Sequence, residues 1–238
     1  MPQKAAHGKR AGYGATADAV VGVCHELARM GFVAATDGNV SARLANGNFL
    51  ITRTGLNKAL VKKTDLVEVG PDGKPVGSRK VMSTELGMHL FIYRERPDIG
   101  AVVHAHPVCA TGFAAARVAL DACLLPEVIA GLGVVPLAEY ATPSTEEVAR
   151  SLSPFVKKAE AILLANHGVV TYGRDPYEAY ARMEKVEQSA RITLVARILG
   201  GGISLTPEEV GRLRDAIHAV SGTWAAERLP FRNNAKNH

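Results

Sequence analysis

Three histidines in this sequence have the spacing of metal ligands. His104 and His106 end the apolar segment AVVHAH, and His167 follows a second apolar segment in LLANHGVV. Residues two apart on a strand project from the same face, so the imidazoles of His104 and His106 can reach one ion. With His167 they make up the donor set of a catalytic zinc site, which has three protein ligands and an open position. The alternative is that the pair merely ends a strand and that Asn166-His167-Gly168 is only a turn.

Glu85, in the segment MSTELGMH, is the candidate acid–base residue beside these histidines. We predict a helix from Ser83 to Arg96, ended by Pro97, which places Glu85 in the first turn. A carboxylate is also favoured there by the helix dipole, so a purely structural role for Glu85 stays open. The motif HExxH is absent, which argues against a zincin protease.

A candidate phosphate site is formed by five small polar residues at the ends of predicted elements: Asn39, Thr54, Gly55, Ser83 and Thr84. Hydroxyls, side-chain amides and glycine-exposed backbone N–H groups at a helix N-terminus are the usual partners of a phosphate. Two of the five, Ser83 and Thr84, cap the predicted helix that carries Glu85. The same residue types also cap helices and end strands in proteins that bind no phosphate.

The strands that must position these residues are predicted from apolar segments bounded by turns. NVSARL and NFLITR flank Asn46-Gly47, the strongest short signal for a β-hairpin. DLVEV is a further strand, ended by the turn Pro71-Asp72-Gly73. AVVHAH and AILLA are predicted as buried strands, and GVVTYG as the partner of AILLA.

Helices are predicted from apolar periodicity and from capping residues. The segment 16–30 has apolar residues at helical spacing, and Ser144 with Glu147 forms a capping box for another helix. Asp175 and Thr206 are each followed by proline at the first helical position, which opens two more helices. Because helices and strands alternate irregularly, we predict an α/β fold in three layers, with helices covering a mixed sheet that contains antiparallel pairs.

The charge of the chain lies at its two ends. The formal net charge is +5, but residues 1–10 carry +3 and residues 226–238 carry +2, so the body is neutral. A neutral body argues against a nucleic-acid partner, and no apolar run is long enough for a membrane span. Three cysteines without a CxxC motif indicate a reducing compartment. We therefore predict a cytoplasmic protein that folds as one domain over residues 1–238, with mobile tails at 1–15 and 226–238.

Several segments, taken in order, resemble the class II aldolase/adducin head family, in particular its sugar-phosphate aldolases. They are TDGNVSAR, ITRTG, MSTELGMH, AVVHAHP and LLANHGVV. The likeness runs from about Ala19 to Gly202. It implies a three-layer α/β/α fold with a mostly antiparallel mixed central sheet, assembled as a homotetramer with its sites between subunits.

The resemblance also implies a role for each matched residue. His104, His106 and His167 would hold one zinc ion per subunit, with another divalent metal as the alternative. Glu85 would be the acid–base residue. The phosphate of a small phosphorylated sugar would bind the candidate phosphate site, which comprises Asn39, Thr54, Gly55, Ser83 and Thr84.

The implied reaction is cleavage of a ketose 1-phosphate, such as L-fuculose 1-phosphate, to dihydroxyacetone phosphate and an aldehyde. Cleavage beside a carbonyl leaves an enediolate, whose charge zinc stabilises while Glu85 transfers the proton. In L-fuculose-phosphate aldolases a tyrosine of a neighbouring subunit protonates the oxygen of the aldehyde part of the substrate. The matching stretch here reads LLPEVIAG, in which Glu127 is the nearest polar residue. A sugar-phosphate dehydratase or decarboxylase therefore stays an alternative, as does a non-catalytic adducin-like interaction module.

Overall fold

The computed structural model describes residues 12–78, 81–220 and Phe231. Its strands are β1 (Asn39–Arg43), β2 (Phe49–Thr52), β3 (Leu66–Val69), β4 (Ala101–Ala105), β5 (Leu137–Ala138), β6 (Ala161–Leu164) and β7 (Gly168–Gly173). They form one seven-stranded sheet in the order β3-β2-β1-β4-β7-β6-β5. The predicted mobile tails at 1–15 and 226–238 lie outside the described residues, apart from residues 12–15 and Phe231.

The helices of the described chain are α1 (Tyr13–Arg29), α2 (Leu86–Glu95), α3 (Val108–Ala115), α4 (Pro126–Gly131), α5 (Glu146–Leu152), α6 (Pro176–Ile198) and α7 (Pro207–Val220). Two short 3-10 segments, Lys58–Leu60 and Lys63–Asp65, connect β2 to β3. None of the helices in this part of the chain combines the length and the apolarity needed to cross a lipid bilayer.

The sheet separates two apolar cores, which gives the fold three layers. On one face α1, α3 and α6 pack against side chains such as Val103, and on the other face α2 and α5 pack around Val102. This alternation along β4 follows from the two-residue period of a strand. Neighbouring strands are antiparallel except β5 and β6, which are parallel. The predicted three-layer α/β/α fold with a mostly antiparallel mixed sheet is confirmed.

Two helix starts lie where the capping residues predicted them. Asp175 accepts a hydrogen bond from the N–H of Glu178 at 2.9 Å and opens α6. Thr206 and Glu209 exchange two hydrogen bonds at the start of α7, each side chain accepting from the backbone N–H of the other residue. These contacts satisfy N–H groups that have no partner within the helix. The two predictions are confirmed.

Two other helix starts differ from the prediction by a few residues. Helix α1 begins at Tyr13 rather than at Thr16. Helix α5 is capped by Thr145, which accepts from the N–H of Glu147, and not by Ser144. Ser144 has a left-handed backbone conformation, with φ of 67°, so it turns the chain into the helix instead of capping it.

The helix that carries Glu85 in the prediction starts later in the structure. Helix α2 begins at Leu86, and Glu85 is its N-cap residue rather than a member of the first turn. The cause lies in the preceding residues, which run extended beside the end of β2. The N–H of Ser83 donates to the carbonyl of Thr52 at 3.3 Å, and a residue in this pairing cannot also be helical. The predicted start at Ser83 is therefore wrong.

Candidate functional site

The three histidines predicted as metal ligands come together near the middle of the sheet. His104 belongs to β4, His106 follows the end of β4, and His167 lies in the turn from β6 to β7. Because β4 and β7 are antiparallel, with His104 opposite Val170, the end of β4 lies beside that turn. One nitrogen from each histidine lies within 4.8 Å of the other two. The cluster can therefore hold a metal ion.

The donor atoms fit a divalent ion bound by imidazoles. Two nitrogens at about 2.0–2.1 Å from a tetrahedral ion are roughly 3.3 Å apart, and the Nε2 atoms of His104 and His106 are 3.1 Å apart. Nδ1 of His104 donates to the carbonyl of Val169 at 2.9 Å, which leaves the lone pair of Nε2 directed into the cluster. Burial, followed by the neighbouring His167 and His106, holds the pKa of His104 well below its usual range. The ring is therefore neutral, as metal binding requires.

Gly168 permits the close packing of the cluster. A Cβ atom at this position would lie 2.5 Å from Cδ2 of His106 and 2.7 Å from the carbonyl oxygen of Ala105. Both separations are well below an ordinary van der Waals contact. The first residue of β7 must therefore be glycine for the ring of His106 to lie against the backbone of that strand.

Asp37 is an acidic neighbour of the cluster that the sequence analysis did not connect with the histidines. Its Oδ2 lies 3.5 Å from Nδ1 of His106. A carboxylate beside the second nitrogen of a ligand histidine orients the ring and raises its basicity. The available signal was the position of Asp37 in TDGNVSAR, two residues before Asn39.

Glu85 lies against the histidine cluster, as expected from its predicted role. Its Oε2 is 3.4 Å from Nε2 of His104, and its Oε1 is 3.4 Å from Nε2 of His167. The side chain is 14% exposed, so it is largely shielded by protein but still reachable from solvent. A ligand held at the cluster would meet a carboxylate within the distance of a proton transfer.

Asn39, predicted as a phosphate ligand, contacts Glu85 directly. Its Nδ2 donates to Oε2 of Glu85 at 2.7 Å. The pairing of β1 with β4 places Asn39 opposite His104, which explains why the amide lies beside both the carboxylate and the histidine. An amide nitrogen carries two hydrogens, so Asn39 is able to donate a second bond to a ligand.

The other four residues of the candidate phosphate site lie in two paired stretches of chain, one after β2 and one before α2. The N–H of Thr54 donates to the carbonyl of Val81 at 3.2 Å and the N–H of Ser83 to the carbonyl of Thr52 at 3.3 Å, so the two segments run antiparallel beside each other. Gly55 has φ of 67°, the left-handed conformation that favours glycine. Oγ of Ser83 accepts from the N–H of Glu85 at 3.3 Å. Of the five residues, Asn39 and Ser83 are thus hydrogen-bonded to Glu85.

His89 is a residue whose importance the sequence analysis missed. Its side chain is fully buried and its Nε2 contacts Oδ1 of Asn39. It follows Glu85 by four residues, so the two side chains lie on the same side of the chain at the start of α2. That spacing was the available signal.

Glu127, the nearest polar residue in LLPEVIAG, lies apart from this group. It is exposed in the first turn of α4, which packs against α7. Within the described residues it does not belong to the cluster formed by Glu85 and the three histidines.

Comparison with known families gives a match over most of the chain. Residues 18–194 match the family described as the Class II Aldolase and Adducin N-terminal domain. An L-fuculose phosphate aldolase of Haemophilus influenzae is 32% identical over 186 residues, which cover 78% of this chain and 84% of the relative. A solved structure of an L-fuculose 1-phosphate aldolase has a TM-score of 0.79 and 30% identity, and the match covers 88% of this chain and 98% of the other.

Relatives with other activities are about as similar. A 3-oxo-tetronate 4-phosphate decarboxylase of Escherichia coli strain K12 is 33% identical, with 69% of this chain and 79% of the relative covered. A methylthioribulose-1-phosphate dehydratase of Gluconobacter oxydans is 31% identical, with 71% of this chain and 86% of the relative covered. Sequence identity therefore does not separate the three reactions.

Replacing His167 with alanine is expected to abolish tight binding of a divalent ion, because it removes one of three ligand nitrogens. Calorimetric titration of chelator-treated protein with Zn²⁺ should give about one ion per chain for the wild type and an affinity at least ~100-fold lower for the variant. His218→Ala, at an exposed position of α7, is the control and should bind like the wild type. Equal affinities for His167→Ala and the wild type would contradict a site at the cluster.

Gly168→Ala is expected to weaken metal binding although it changes no ligand, because its new methyl group must displace the ring of His106. We expect a loss of about 10- to 100-fold in Zn²⁺ affinity, measured in the same titration. Gly112→Ala is the matched control, since a Cβ atom at that exposed position of α3 meets no heavy atom within 4 Å. If both alanine variants bind Zn²⁺ alike, the packing argument is wrong.

Proposed function

The chain belongs to the family of class II aldolase and adducin N-terminal domains, and from this premise we propose that it is a metal-dependent sugar-phosphate aldolase. The proposed reaction cleaves a ketose 1-phosphate, such as L-fuculose 1-phosphate, to dihydroxyacetone phosphate and an aldehyde. One observation carries the proposal: the Glu85 carboxylate lies 3.4 Å from Nε2 of both His104 and His167, in a cluster with the donor set of a metal site. Similarity to L-fuculose phosphate aldolases supports the choice of substrate.

The proposed metal ligands are His104, His106 and His167, and the proposed ion is zinc, one per subunit. When bound there, a divalent ion supplies a Lewis acid beside the carbonyl group of the substrate. Residues around the cluster hold two of the three rings in place. The carbonyl of Val169 fixes the tautomer of His104, and Asp37 lies beside the second nitrogen of His106.

Glu85 is the proposed acid–base residue. Cleavage of the bond beside a carbonyl leaves a carbon atom that must take up a proton. A carboxylate can accept a proton from a hydroxyl group of the substrate and then donate it to that carbon. At the end of the reaction the carboxylate is back in its starting state. The hydrogen bond from Asn39 holds the carboxylate toward the cluster, so the group need not reorganise when the substrate arrives.

The phosphate of the substrate is proposed to bind between the turn at Thr54-Gly55 and the segment Ser83-Thr84, with the second N–H of Asn39 beside it. Thr54, Gly55 and Thr84 are exposed, so the hydroxyls of the two threonines are open to a ligand. The site lies next to Glu85, because Ser83 and Glu85 are joined by a hydrogen bond. Binding the phosphate there would align the bond to be broken with the carboxylate.

A dehydratase or a decarboxylase of a sugar phosphate is the second candidate. Two observations favour keeping it: relatives named for these reactions are 31% and 33% identical, and the stretch LLPEVIAG has no tyrosine to serve the aldehyde. All three reactions remove a group from a carbon near a carbonyl, so one metal site and one carboxylate serve each of them.

We further propose a cytoplasmic homotetramer with sites at the subunit interfaces. The three thiols, Cys24, Cys109 and Cys123, are unpaired, in keeping with a reducing compartment. The end of α6 and the following loop expose large apolar side chains, among them Ile198 at 76% and Ile203 at 94%, which supports self-association. Light scattering should give the mass of four chains, and a monomer at micromolar concentration would contradict this assembly.

Product analysis with a panel of ketose 1-phosphates tests the proposed reaction. The zinc-loaded wild type is incubated with each sugar phosphate, and dihydroxyacetone phosphate is measured by coupled reduction to glycerol 3-phosphate. Its release identifies an aldolase. Loss of water or of CO₂, with no dihydroxyacetone phosphate, would replace the proposal by the second candidate. A 3-oxo acid phosphate and methylthioribulose 1-phosphate complete the panel.

Glu85→Gln is expected to keep the metal and lose most of the turnover, because glutamine has a similar shape but cannot transfer a proton. We expect kcat to fall by about 10²- to 10⁴-fold, with the zinc content unchanged in elemental analysis. Glu208→Gln, at an exposed position of α7, is the control. Full turnover by Glu85→Gln would show that another group moves the proton.

A further inference from the structure

A line of buried polar side chains leads from the apolar core to Glu85. Tyr93 contacts Ser41 at 2.9 Å between their hydroxyl oxygens, and Oγ of Ser41 lies 2.7 Å from Nδ1 of His89. Nε2 of His89 contacts Oδ1 of Asn39, and Asn39 donates to Glu85. The line joins two regular patterns: Asn39 and Ser41 are two apart on β1, and Glu85 and His89 are four apart at the start of α2.

The direction of each hydrogen bond follows from the carboxylate. An ionised carboxylate only accepts, so the group of Asn39 that faces Glu85 must be the NH₂. The carbonyl oxygen of the same amide must then face His89. A carbonyl oxygen also only accepts, which places the hydrogen of the neutral imidazole on Nε2 of His89.

The remaining contacts agree with this assignment. With its hydrogen on Nε2, His89 has a lone pair on Nδ1, which accepts from the hydroxyl of Ser41. The oxygen of Ser41 then accepts from the hydroxyl of Tyr93, whose hydrogen is available because burial raises its pKa. Every donor along the line therefore points toward Glu85, and each of these buried groups has a partner.

The other tautomer of His89 would give a different contact at Glu85. With the hydrogen on Nδ1, the lone pair of Nε2 would require the NH₂ of Asn39, and the amide would turn its carbonyl oxygen toward the carboxylate. Two acceptor oxygens 2.7 Å apart repel each other, so Glu85 would move away from the histidine cluster. The position of one hydrogen on His89 thus decides which group Asn39 presents.

His89 is not one of the three candidate metal ligands, and its side chain is closed off from solvent. It is fully buried, and burial lowers the pKa of its ring to about 3, so the ring stays neutral across the physiological range. Neutrality is what makes one nitrogen a donor and the other an acceptor. A charged ring would donate from both nitrogens and lose the bond from Ser41.

We propose that His89 is a positioning residue, whose Nε2–H orients the amide of Asn39 so that this amide donates to Glu85 and holds the carboxylate at the histidine cluster. His89 acts through Asn39 and touches no reacting atom. The expected effect of His89 on turnover rests on the proposed function. The orientation of the Asn39 amide does not depend on that function. A purely structural role, in which the ring only satisfies buried partners, is the competing explanation.

Two amide variants of His89 separate these explanations. The NH₂ of glutamine reaches about as far as Nε2, so His89→Gln can still donate to Asn39 while losing the bond from Ser41. The shorter asparagine reaches only as far as Nδ1, so His89→Asn keeps the bond with Ser41 and loses the donation to Asn39. Each variant gives up one of two buried hydrogen bonds, and we expect similar midpoints in urea unfolding for the two.

The turnover of the two variants is expected to differ. In the zinc-loaded enzyme, His89→Gln should keep kcat within a few-fold of the wild type, and His89→Asn should lower kcat by about 10- to 100-fold. KM should change less than kcat in His89→Asn, because only the Asn39 amide among the five proposed phosphate-binding residues is disturbed, and the zinc content of both variants should equal that of the wild type. Equal losses in the two variants, or a loss confined to KM, would overturn the proposal.

A measurement without turnover tests the hydrogen position itself. Nitrogen NMR of the zinc-loaded wild type labelled with ¹⁵N-histidine distinguishes Nε2–H from Nδ1–H, and comparison with His89→Gln assigns the signal. We expect the hydrogen on Nε2, and a hydrogen on Nδ1 would overturn the proposal whatever turnover the two variants show. If no sugar phosphate in the panel is converted, the proposed function fails, whereas the NMR result still decides the orientation of Asn39.

Discussion

The site depends on the pairing of β4 with its two neighbours. On one side, His104 lies opposite Asn39 of β1, and on the other side it lies opposite Val170 of β7. The first pairing places the amide beside the histidine, and the second brings the β6–β7 turn with His167 to the end of β4. A slip of one residue in either pairing would turn the matching side chains to the opposite face of the sheet. The register is held by apolar side chains on both faces, such as Val102 and Val103, so core packing fixes the positions of the polar groups.

Local patterns were sufficient to predict the parts of the fold that local contacts determine. The hairpin around Asn46-Gly47, the starts of α6 and α7 and the convergence of the three histidines all follow from turn residues, caps and strand ends. The late start of α2 was not predictable in this way, because it depends on the pairing of Ser83 with Thr52, which are distant in sequence. Helices α3 and α4 and strand β5 were missed because they are short and lack a periodic apolar pattern. The burial of His89 depends on packing between α2 and β1, which no spacing within one segment reveals.

Glu85 is held from the interior, whereas three of the five residues of the candidate phosphate site are exposed. The carboxylate is held from the core, through Asn39, by buried groups that a ligand cannot reach. Thr54, Gly55 and Thr84 are exposed to solvent. Under the proposed function, the group that acts on the reacting bond is therefore fixed by the interior, while three of the groups that would bind the substrate lie at the surface. This division offers a physical reason why relatives with one fold carry names of different reactions. Exposed residues tolerate exchange far better than buried hydrogen-bonded ones.

The position of the histidines has a mechanical consequence as well. His104 lies in β4 and His106 follows its end, whereas His167 lies in the turn before β7. Helices α3, α4 and α5 lie between these two positions in the sequence. An ion bound by all three histidines would be a reversible cross-link between β4 and the start of β7. The cysteines of this protein form no disulfide that could do the same. Whatever binds the folded chain and not the unfolded one adds to stability by mass action. The lifetime of the folded enzyme in a cell would then follow the local supply of the metal.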